Sequence, residues 1–117
     1  EALLPALTPQ VISTAARNPN ARAGTYGHGF NTSVASSGRT MYSHSGAFGL
    51  GAATNFAVMP SEDIGIIALT NAAPYGIPEA LNAEFMDLVQ YGQVREDWTS
   101  LYRQQLAPMN SPDGTLV

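Results

Sequence analysis

The segment IGIIALT, Ile64–Thr70, decides the fold, because it is the most apolar run of strand length in the chain. Its length and its branched apolar residues are typical of a buried β-strand. The preceding run, Ala52–Met59, also has strand character and stops at Pro60, which cannot donate to a sheet ladder. Residues 61–63 form a polar turn between the two runs. We therefore expect a hairpin, with the strand 64–70 in the centre of the sheet.

Downstream of this hairpin, an amphipathic helix is predicted from Pro78 to about Tyr91, with Gly92 as its C-cap. Its apolar residues recur at helical spacing, so we expect them to form the stripe that packs on the sheet. That stripe comprises Ile77, Leu81, Phe85, Leu88 and Val89. A second, shorter helix is predicted over residues 96–106, with Trp98 as a packing anchor.

Upstream, a short helix is predicted over residues 8–17, because Thr8 is a good N-cap and Pro9 suits the first helical position. Residues 25–32 alternate large and small side chains, which indicates a strand. Its partner is the predicted strand 40–45, and the two make a second hairpin.

The first strand of this second hairpin contains Gly27 and Gly29 on one face, with His28 between them. Glycines in a strand interior indicate close approach to another backbone. We interpret His28 as a structural residue in the middle of that strand.

These elements predict an α+β fold, an antiparallel sheet of about four strands with helices packed on one face. The other face of the sheet has no obvious cover, and only 12% of residues are charged, against about 25% in an average soluble domain. The chain also starts at Glu1 without a methionine. We therefore expect a piece of a longer protein, or a homo-oligomer. Residues 107–117 are rich in proline, glycine and polar residues and are predicted to be a linker or frayed tail.

Composition disfavours several classes of function. The net charge is −4, with five arginines and no lysine, so there is no basic patch for nucleic acid or an anionic membrane. The absence of cysteine rules out disulfides and thiol chemistry, and no apolar run approaches the roughly 20 residues of a membrane span. Two histidines with scattered carboxylates show no metal-ligand spacing, so we expect neither a metal nor another cofactor.

The candidate site is the segment YSHSGAF, Tyr42–Phe48. Strand alternation places the side chains of His44 and Ser45 on opposite faces. Gly46 allows close approach by another backbone or a substrate. Ala47 is expected to have a free N–H, because residues 46–51 read as a flexible, glycine-rich connection that does not pair it. An imidazole, a hydroxyl and an exposed N–H are suited to binding an anion or oxyanion. The alternative interpretation is an ordinary hydrogen-bonding histidine at a strand end.

The order of these motifs resembles the C-terminal part of the serine β-lactamase-like family. The series is Y-G-H-G-F at 26–30, H-S-G-A at 44–47, a strand ending in M-P, I-G-I-I-A-L-T-N at 64–71, and a helix opened by proline. The family includes class C β-lactamases, D-alanyl-D-alanine carboxypeptidases, D-aminopeptidases and related esterases. The resemblance covers residues 24 to about 106. It implies that residues 1–106 are the C-terminal portion of a partial β-lactamase/transpeptidase-like catalytic domain, in a periplasmic or secreted protein.

The resemblance also implies roles for the four candidate residues. His44 takes the place of the lysine in the family's K-T-G motif and helps to hold the proton network and the negative end of the substrate. Ser45 takes the place of the threonine and hydrogen-bonds a substrate carboxylate or carbonyl. Gly46 is the motif glycine, and Ala47 supplies one backbone N–H of the oxyanion hole.

The sequence departs from the family pattern in two motifs. The nucleophile motif S-x-x-K cannot occur in a chain without lysine, and the Y-x-N motif has no convincing match. The resemblance therefore implies part of a serine hydrolase that acts through an acyl-enzyme on an ester, a D-amino-acid peptide or a β-lactam. Its serine would lie on a missing N-terminal part of the same protein. The alternatives are a non-catalytic module that binds peptide or cell-wall fragments, and a small structural or oligomeric domain.

Overall fold

The computed structural model describes residues 3–14, 23–35 and 37–110. Six strands form one antiparallel sheet whose spatial order follows the chain. They are β1 Val11–Thr14, β2 Gly24–Tyr26, β3 Asn31–Val34, β4 Thr40–Phe48, β5 Ala52–Met59 and β6 Ile64–Thr70. The helices are α1 Leu4–Leu7, α2 Ile77–Tyr91 and α3 Trp98–Asn110, with a 3-10 turn at Pro60–Glu62. The predicted α+β class is confirmed, with six strands where about four were expected.

The chain divides into two compact units, which are described separately. The first unit comprises Glu1–His44 and Ala57–Gly65, and the second comprises Ser45–Phe56 and Ile66–Val117. The division falls within β4, directly after His44.

In the first unit, the helix predicted over residues 8–17 is wrong for its described part, because a strand begins at Val11. Thr8 ends α1 instead of starting a helix, since both its N–H and its Oγ1 donate to the carbonyl of Leu4. Val11 then pairs with Tyr26 in the ladder between β1 and β2. The branched residues Val11 and Ile12 fit that pleated ladder better than a helix, so strand pairing prevails over the helix-start signal. Residues 15–17 lie outside the described residues.

The strand predicted over residues 25–32 is divided by a tight turn. The N–H of Gly27 donates to the carbonyl of Phe30 at 2.9 Å, and Gly29 has a φ of 94°, which favours glycine. The close backbone approach predicted for these glycines is confirmed at Gly27, where a Cβ atom would overlap the carbonyl oxygen of Ala6. His28 is exposed in the turn, so its predicted mid-strand position is wrong.

The hairpin predicted between the second of these strands and residues 40–45 is confirmed, with Asn31 opposite Ser43 and Val34 opposite Thr40. The hydrogen bond from Ala35 N–H to the carbonyl of Arg39 closes its turn at 2.8 Å.

In the second unit, α2 begins and ends as predicted. Gly92 follows Tyr91 in the left-handed conformation and donates its N–H to the carbonyl of Leu88. The predicted buried stripe is wrong for three of its five residues, because Ile77, Leu81 and Leu88 are each about half exposed, whereas Phe85 and Val89 are partly buried. The buried residues of α2 are instead mostly small or polar, namely Pro78, Ala80, Asn82, Met86 and Asp87. Polar partners stabilise this face, since Asn82 is hydrogen-bonded to β5.

The strand β6 lies at the end of the sheet order, so the predicted central position of Ile64–Thr70 is wrong. Its side chains alternate between buried and exposed. Ala68 is 7% exposed, whereas Ile67 and Leu69 are 71% and 73% exposed. An apolar run alone therefore indicated the strand but not its position in the sheet.

The last helix packs on α2 through a buried carboxylate. Oδ2 of Asp87 accepts hydrogen bonds from the indole Nε1 of Trp98 at 2.7 Å and from the backbone N–H of Arg95 at 2.8 Å. The helix α3 continues to Asn110, four residues into the segment predicted as a tail from residue 107. Residues 111–117 lie outside the described residues.

Candidate active site

The four candidate residues lie together on β4, and this strand is longer than predicted. Residues 46–48 continue the strand, so the expected flexible connection 46–51 is wrong in its first half. The turn itself is residues 49–51, closed by a hydrogen bond from Gly51 N–H to the carbonyl of Phe48 at 3.0 Å. Gly51 has a φ of 116°, which explains why glycine is required there.

This turn fixes the direction of the backbone N–H of Ala47. The carbonyl of Phe48 accepts within the hairpin, so the backbone groups of Phe48 and Gly46 face β5. Alternation along the strand then directs the N–H of Ala47, and that of Ser45, away from β5. On the other edge of β4, the register with β3 is described only as far as Ser43. The expected free N–H of Ala47 is thus supported by alternation within a strand, and not by an unpaired connection.

The hydroxyl of Ser45 belongs to a chain of hydrogen bonds that crosses the second unit. Asn55 on β5 donates from Nδ2 to Ser45 Oγ at 2.8 Å. Asn82 on α2 donates from Nδ2 to the side-chain Oδ1 of Asn55 at 2.7 Å and to its backbone carbonyl at 3.0 Å. Asn82 is only 1% exposed. The orientation of Ser45 is therefore coupled to a buried residue of α2.

Neither Asn55 nor Asn82 was predicted from the sequence. A signal for both is present, because asparagine is disfavoured in strand and helix interiors, yet each occurs within an otherwise regular element. A buried polar residue in such a position requires hydrogen-bond partners.

The space beside Gly46 is occupied by a neighbouring strand. A Cβ atom at this position would lie 2.6 Å from Oγ1 of Thr54. Packing against β5 is thus sufficient to explain a glycine here, and approach by a substrate is a further use of the same residue.

His44 lies in the first unit, half-buried beside an aromatic side chain. Its ring centroid is 6.2 Å from that of Tyr26, with the two planes tilted by 58°. The structure thus gives His44 and Ser45 separate neighbours, as expected for consecutive residues of a strand.

Neither of two large pockets in the described residues is lined by the four candidate residues. One, of about 450 Å³, lies in the second unit between the start of α2 and the exposed face of α3. The other, of about 430 Å³, lies in the first unit between α1 and the strands β2 to β4. The described residues also contain no group of three or more potential metal-ligating side chains. Within the same part of the chain, no helix is both long and apolar enough to cross a membrane.

The H-S-G-A segment lies on β4 of this antiparallel sheet, and the long helix α2 follows β6, the last strand. The family model described as Beta-lactamase matches residues 2–91, which is more than half of the chain. The chain belongs to this family, and the resemblance to serine β-lactamase-like proteins is confirmed at the level of the superfamily. A search of curated proteins finds no significant match.

Proposed function

We propose that this chain is the H-S-G-bearing part of a serine hydrolase that acts through an acyl-enzyme. Family membership supports the reaction class. The observation that carries the proposal is that β4 continues through Ala47 to Phe48, whose carbonyl accepts within the hairpin turn. From strand alternation we infer that the N–H of Ala47 points away from β5, directly after the H-S-G segment. An N–H held in a rigid strand can stabilise a developing oxyanion without reorganisation.

In the proposed mechanism, a serine hydroxyl attacks the carbonyl carbon of the substrate, and its proton passes to a base beside it. The negative charge that forms on the carbonyl oxygen is stabilised by Ala47 N–H and by the backbone N–H of the nucleophile. The leaving alcohol or amine departs with a proton, and water then releases the acid. Ser45 hydrogen-bonds a carboxylate or carbonyl of the substrate, and His44 contributes to the proton network.

The nucleophile of this mechanism lies outside the present sequence. No lysine occurs in the chain, so the S-x-x-K motif of the family must be supplied by other residues. We propose that these belong to an N-terminal part of the same protein and that the protein is periplasmic or secreted.

The proposed substrates are esters, D-amino-acid peptides and β-lactams. A histidine at position 44 favours the first two, because a lysine ammonium anchors a β-lactam carboxylate better than a histidine side chain does. The branch of the family to which the protein belongs is thus proposed as esterase or peptidase.

A fluorophosphonate probe tests the proposal on protein purified from its native source. We expect a covalent adduct on a serine of an S-x-x-K motif, and no adduct on any serine of the 117 residues of the present sequence. In recombinant full-length protein that has not been exposed to the probe, His44→Ala should slow acylation at least about tenfold, equivalent to roughly 1.4 kcal/mol in the barrier. Its melting temperature should change little. Unchanged acylation kinetics would contradict the role of His44, and a large fall in melting temperature would indicate a structural role.

The second candidate is a non-catalytic module of the same fold that binds peptide or cell-wall fragments. It predicts that the part of the protein upstream of this sequence carries no S-x-x-K motif. Binding of a D-amino-acid peptide without any serine adduct in the native-source protein would support this candidate over the hydrolase.

A further inference from the structure

We propose that Asn82 and Asn55 are positioning residues that fix Ser45 as a hydrogen-bond donor toward the substrate. The inference rests on the proposed function, because it concerns what the Ser45 hydroxyl offers to a bound molecule. Its basis is the hydrogen-bond chain from α2 through β5 to β4, which lies entirely within the second unit.

The donor and acceptor of every hydrogen bond between Asn82, Asn55 and Ser45 follow from one group, the backbone carbonyl of Asn55. The carbonyl of Asn55 can only accept, so the Asn82 atom 3.0 Å from it must be Nδ2. The same Nδ2 lies 2.7 Å from the side chain of Asn55, which must therefore present its oxygen. The remaining terminal atom of Asn55 is the Nδ2 donor, and it lies 2.8 Å from Ser45 Oγ.

Burial makes the opposite orientation of Asn82 unfavourable. Asn82 is 1% exposed, and its Oδ1 has no hydrogen-bond partner in the described part of the chain. Turning over the side-chain amide of Asn82 would place its Oδ1 against two oxygens of Asn55. The Nδ2 donor of Asn82 would then point to the side where the described residues provide no partner. The unpaired Oδ1 of Asn82 lowers the stability of the fold somewhat, because an unsatisfied buried acceptor costs free energy. In return, the hydrogen bonds from Asn82 through Asn55 to Ser45 all run in one direction.

The consequence for Ser45 is chemical. A hydroxyl has a single hydrogen, and Ser45 already accepts from Asn55, so its hydrogen is available to an acceptor elsewhere. Through this hydrogen, Ser45 can therefore bind a carboxylate or carbonyl oxygen of the substrate. A carboxylate gives the stronger bond because it is charged.

The test compares variants that reverse the hydrogen bond between Asn55 and Ser45 or remove the one between Asn82 and Asn55. Asn55→Asp keeps acceptors for Asn82 but replaces the donor by an oxygen, so Ser45 would donate to the introduced carboxylate and lose its bond to the substrate. Asn82→Ala is uncharged and frees the amide of Asn55 to turn. Asn71→Asp introduces the same charge change as the first variant at an exposed asparagine and serves as its control.

In recombinant full-length hydrolase that has not been exposed to the probe, the measured quantity is the preference for a substrate bearing a free carboxylate over its carboxamide. Asn55→Asp should lower this preference at least about tenfold. Asn82→Ala should lower it by a smaller factor, through KM and with little change in kcat. The Asn71→Asp control should retain it. Preferences equal to wild type in both Asn55→Asp and Asn82→Ala would overturn the inference.

A second measurement needs no catalysis. In nuclear magnetic resonance spectra of the 117-residue chain, Ser45→Ala should shift the side-chain amide resonances of Asn55 and leave those of Asn82 nearly unchanged. An unaffected Asn55 amide would refute the positioning chain, whatever the activity. If the wild-type protein forms no acyl-enzyme, the proposed function fails, and the spectra still decide whether Asn55 orients Ser45.

Discussion

Asp87 is a buried carboxylate. One of its two oxygens, Oδ2, accepts hydrogen bonds from both Trp98 and Arg95. Removing it leaves an indole N–H and a backbone N–H without their partner. Asp87→Ala should therefore lower the free energy of unfolding by about 1–3 kcal/mol. Asp87→Asn should cost less, because its Oδ1 can accept both bonds. Urea denaturation measures the two changes, and equal losses would contradict this explanation.

Gly76 caps the start of α2 in a left-handed conformation, with a φ of 92°. A Cβ atom there would lie 2.7 Å from Cβ of Tyr102 on α3, so Gly76→Ala combines backbone strain with crowding. Gly92→Ala is the matched control, since its φ is 74° and no neighbour lies within 4 Å.

We expect Gly92→Ala to cost about 1 kcal/mol from strain and Gly76→Ala to cost clearly more. Thermal unfolding of the two variants measures the difference. If both variants lose the same stability, the close approach of α3 to Gly76 is not a significant constraint.

Successive side chains of β6 point to a more buried face and to an exposed face in turn. Substitutions on the two faces should therefore change the free energy of unfolding by different amounts. Ile67→Thr and Leu69→Thr replace side chains that are already mostly exposed, so each should change the free energy of unfolding by less than about 0.5 kcal/mol. Ala68→Leu overfills the buried side and should cost about 1–3 kcal/mol. Chemical denaturation compares them. A large loss at Ile67 or Leu69 would show that their face is covered in solution.

The pairing of α2 and α3 predicts a loss of stability at alkaline pH. Burial raises the pKa of Tyr102, and the charges of Glu79 and Glu96 raise it further. The folded protein therefore retains this proton at a pH where the unfolded chain releases it. The stabilising contribution is complete below the ordinary tyrosine pKa of about 10 and is lost as the pH rises through the higher folded value.

Tyr102→Phe keeps the stacked ring beside Trp98 but has no proton to lose. It should flatten the decline of unfolding free energy above about pH 10. Identical alkaline slopes for Tyr102→Phe and wild type would disprove the assignment.

The molecule as described exposes large apolar side chains on two elements of its second unit, β6 and α2. Exposed apolar surface of this kind promotes association, and β6 also lies at an end of the sheet order, where a second copy can pair. We expect the isolated 117-residue chain to self-associate with rising concentration. Sedimentation equilibrium measures this, and the combined Ile67→Thr and Leu69→Thr variant should shift the equilibrium toward monomer. A wild-type chain that stays monomeric at every concentration would contradict the prediction.

Features that depend on neighbouring residues could be predicted from the sequence alone. The strands at 52–59 and 64–70, the turn between them and the limits of α2 follow from hydrophobic runs, Pro60 and Gly92, because such signals act within a few residues. The order of motifs was also sufficient to indicate the family, since it is a property of the chain and not of its packing.

The position of each element and the burial of its side chains depended instead on tertiary packing. Residues 11–14 became a strand because β2 supplies a ladder, which outweighs a local helix signal. The strand at 64–70 is terminal in the sheet order. The helix α2 buries Asn82, whose side-chain N–H groups donate to oxygens of Asn55 on β5, whereas Ile77, Leu81 and Leu88 of its apolar stripe are about half exposed. The link from Asn82 through Asn55 to Ser45 joins three separate elements. Its residues meet only when the strands pair and the helix packs, so spacing along the chain contains no trace of it.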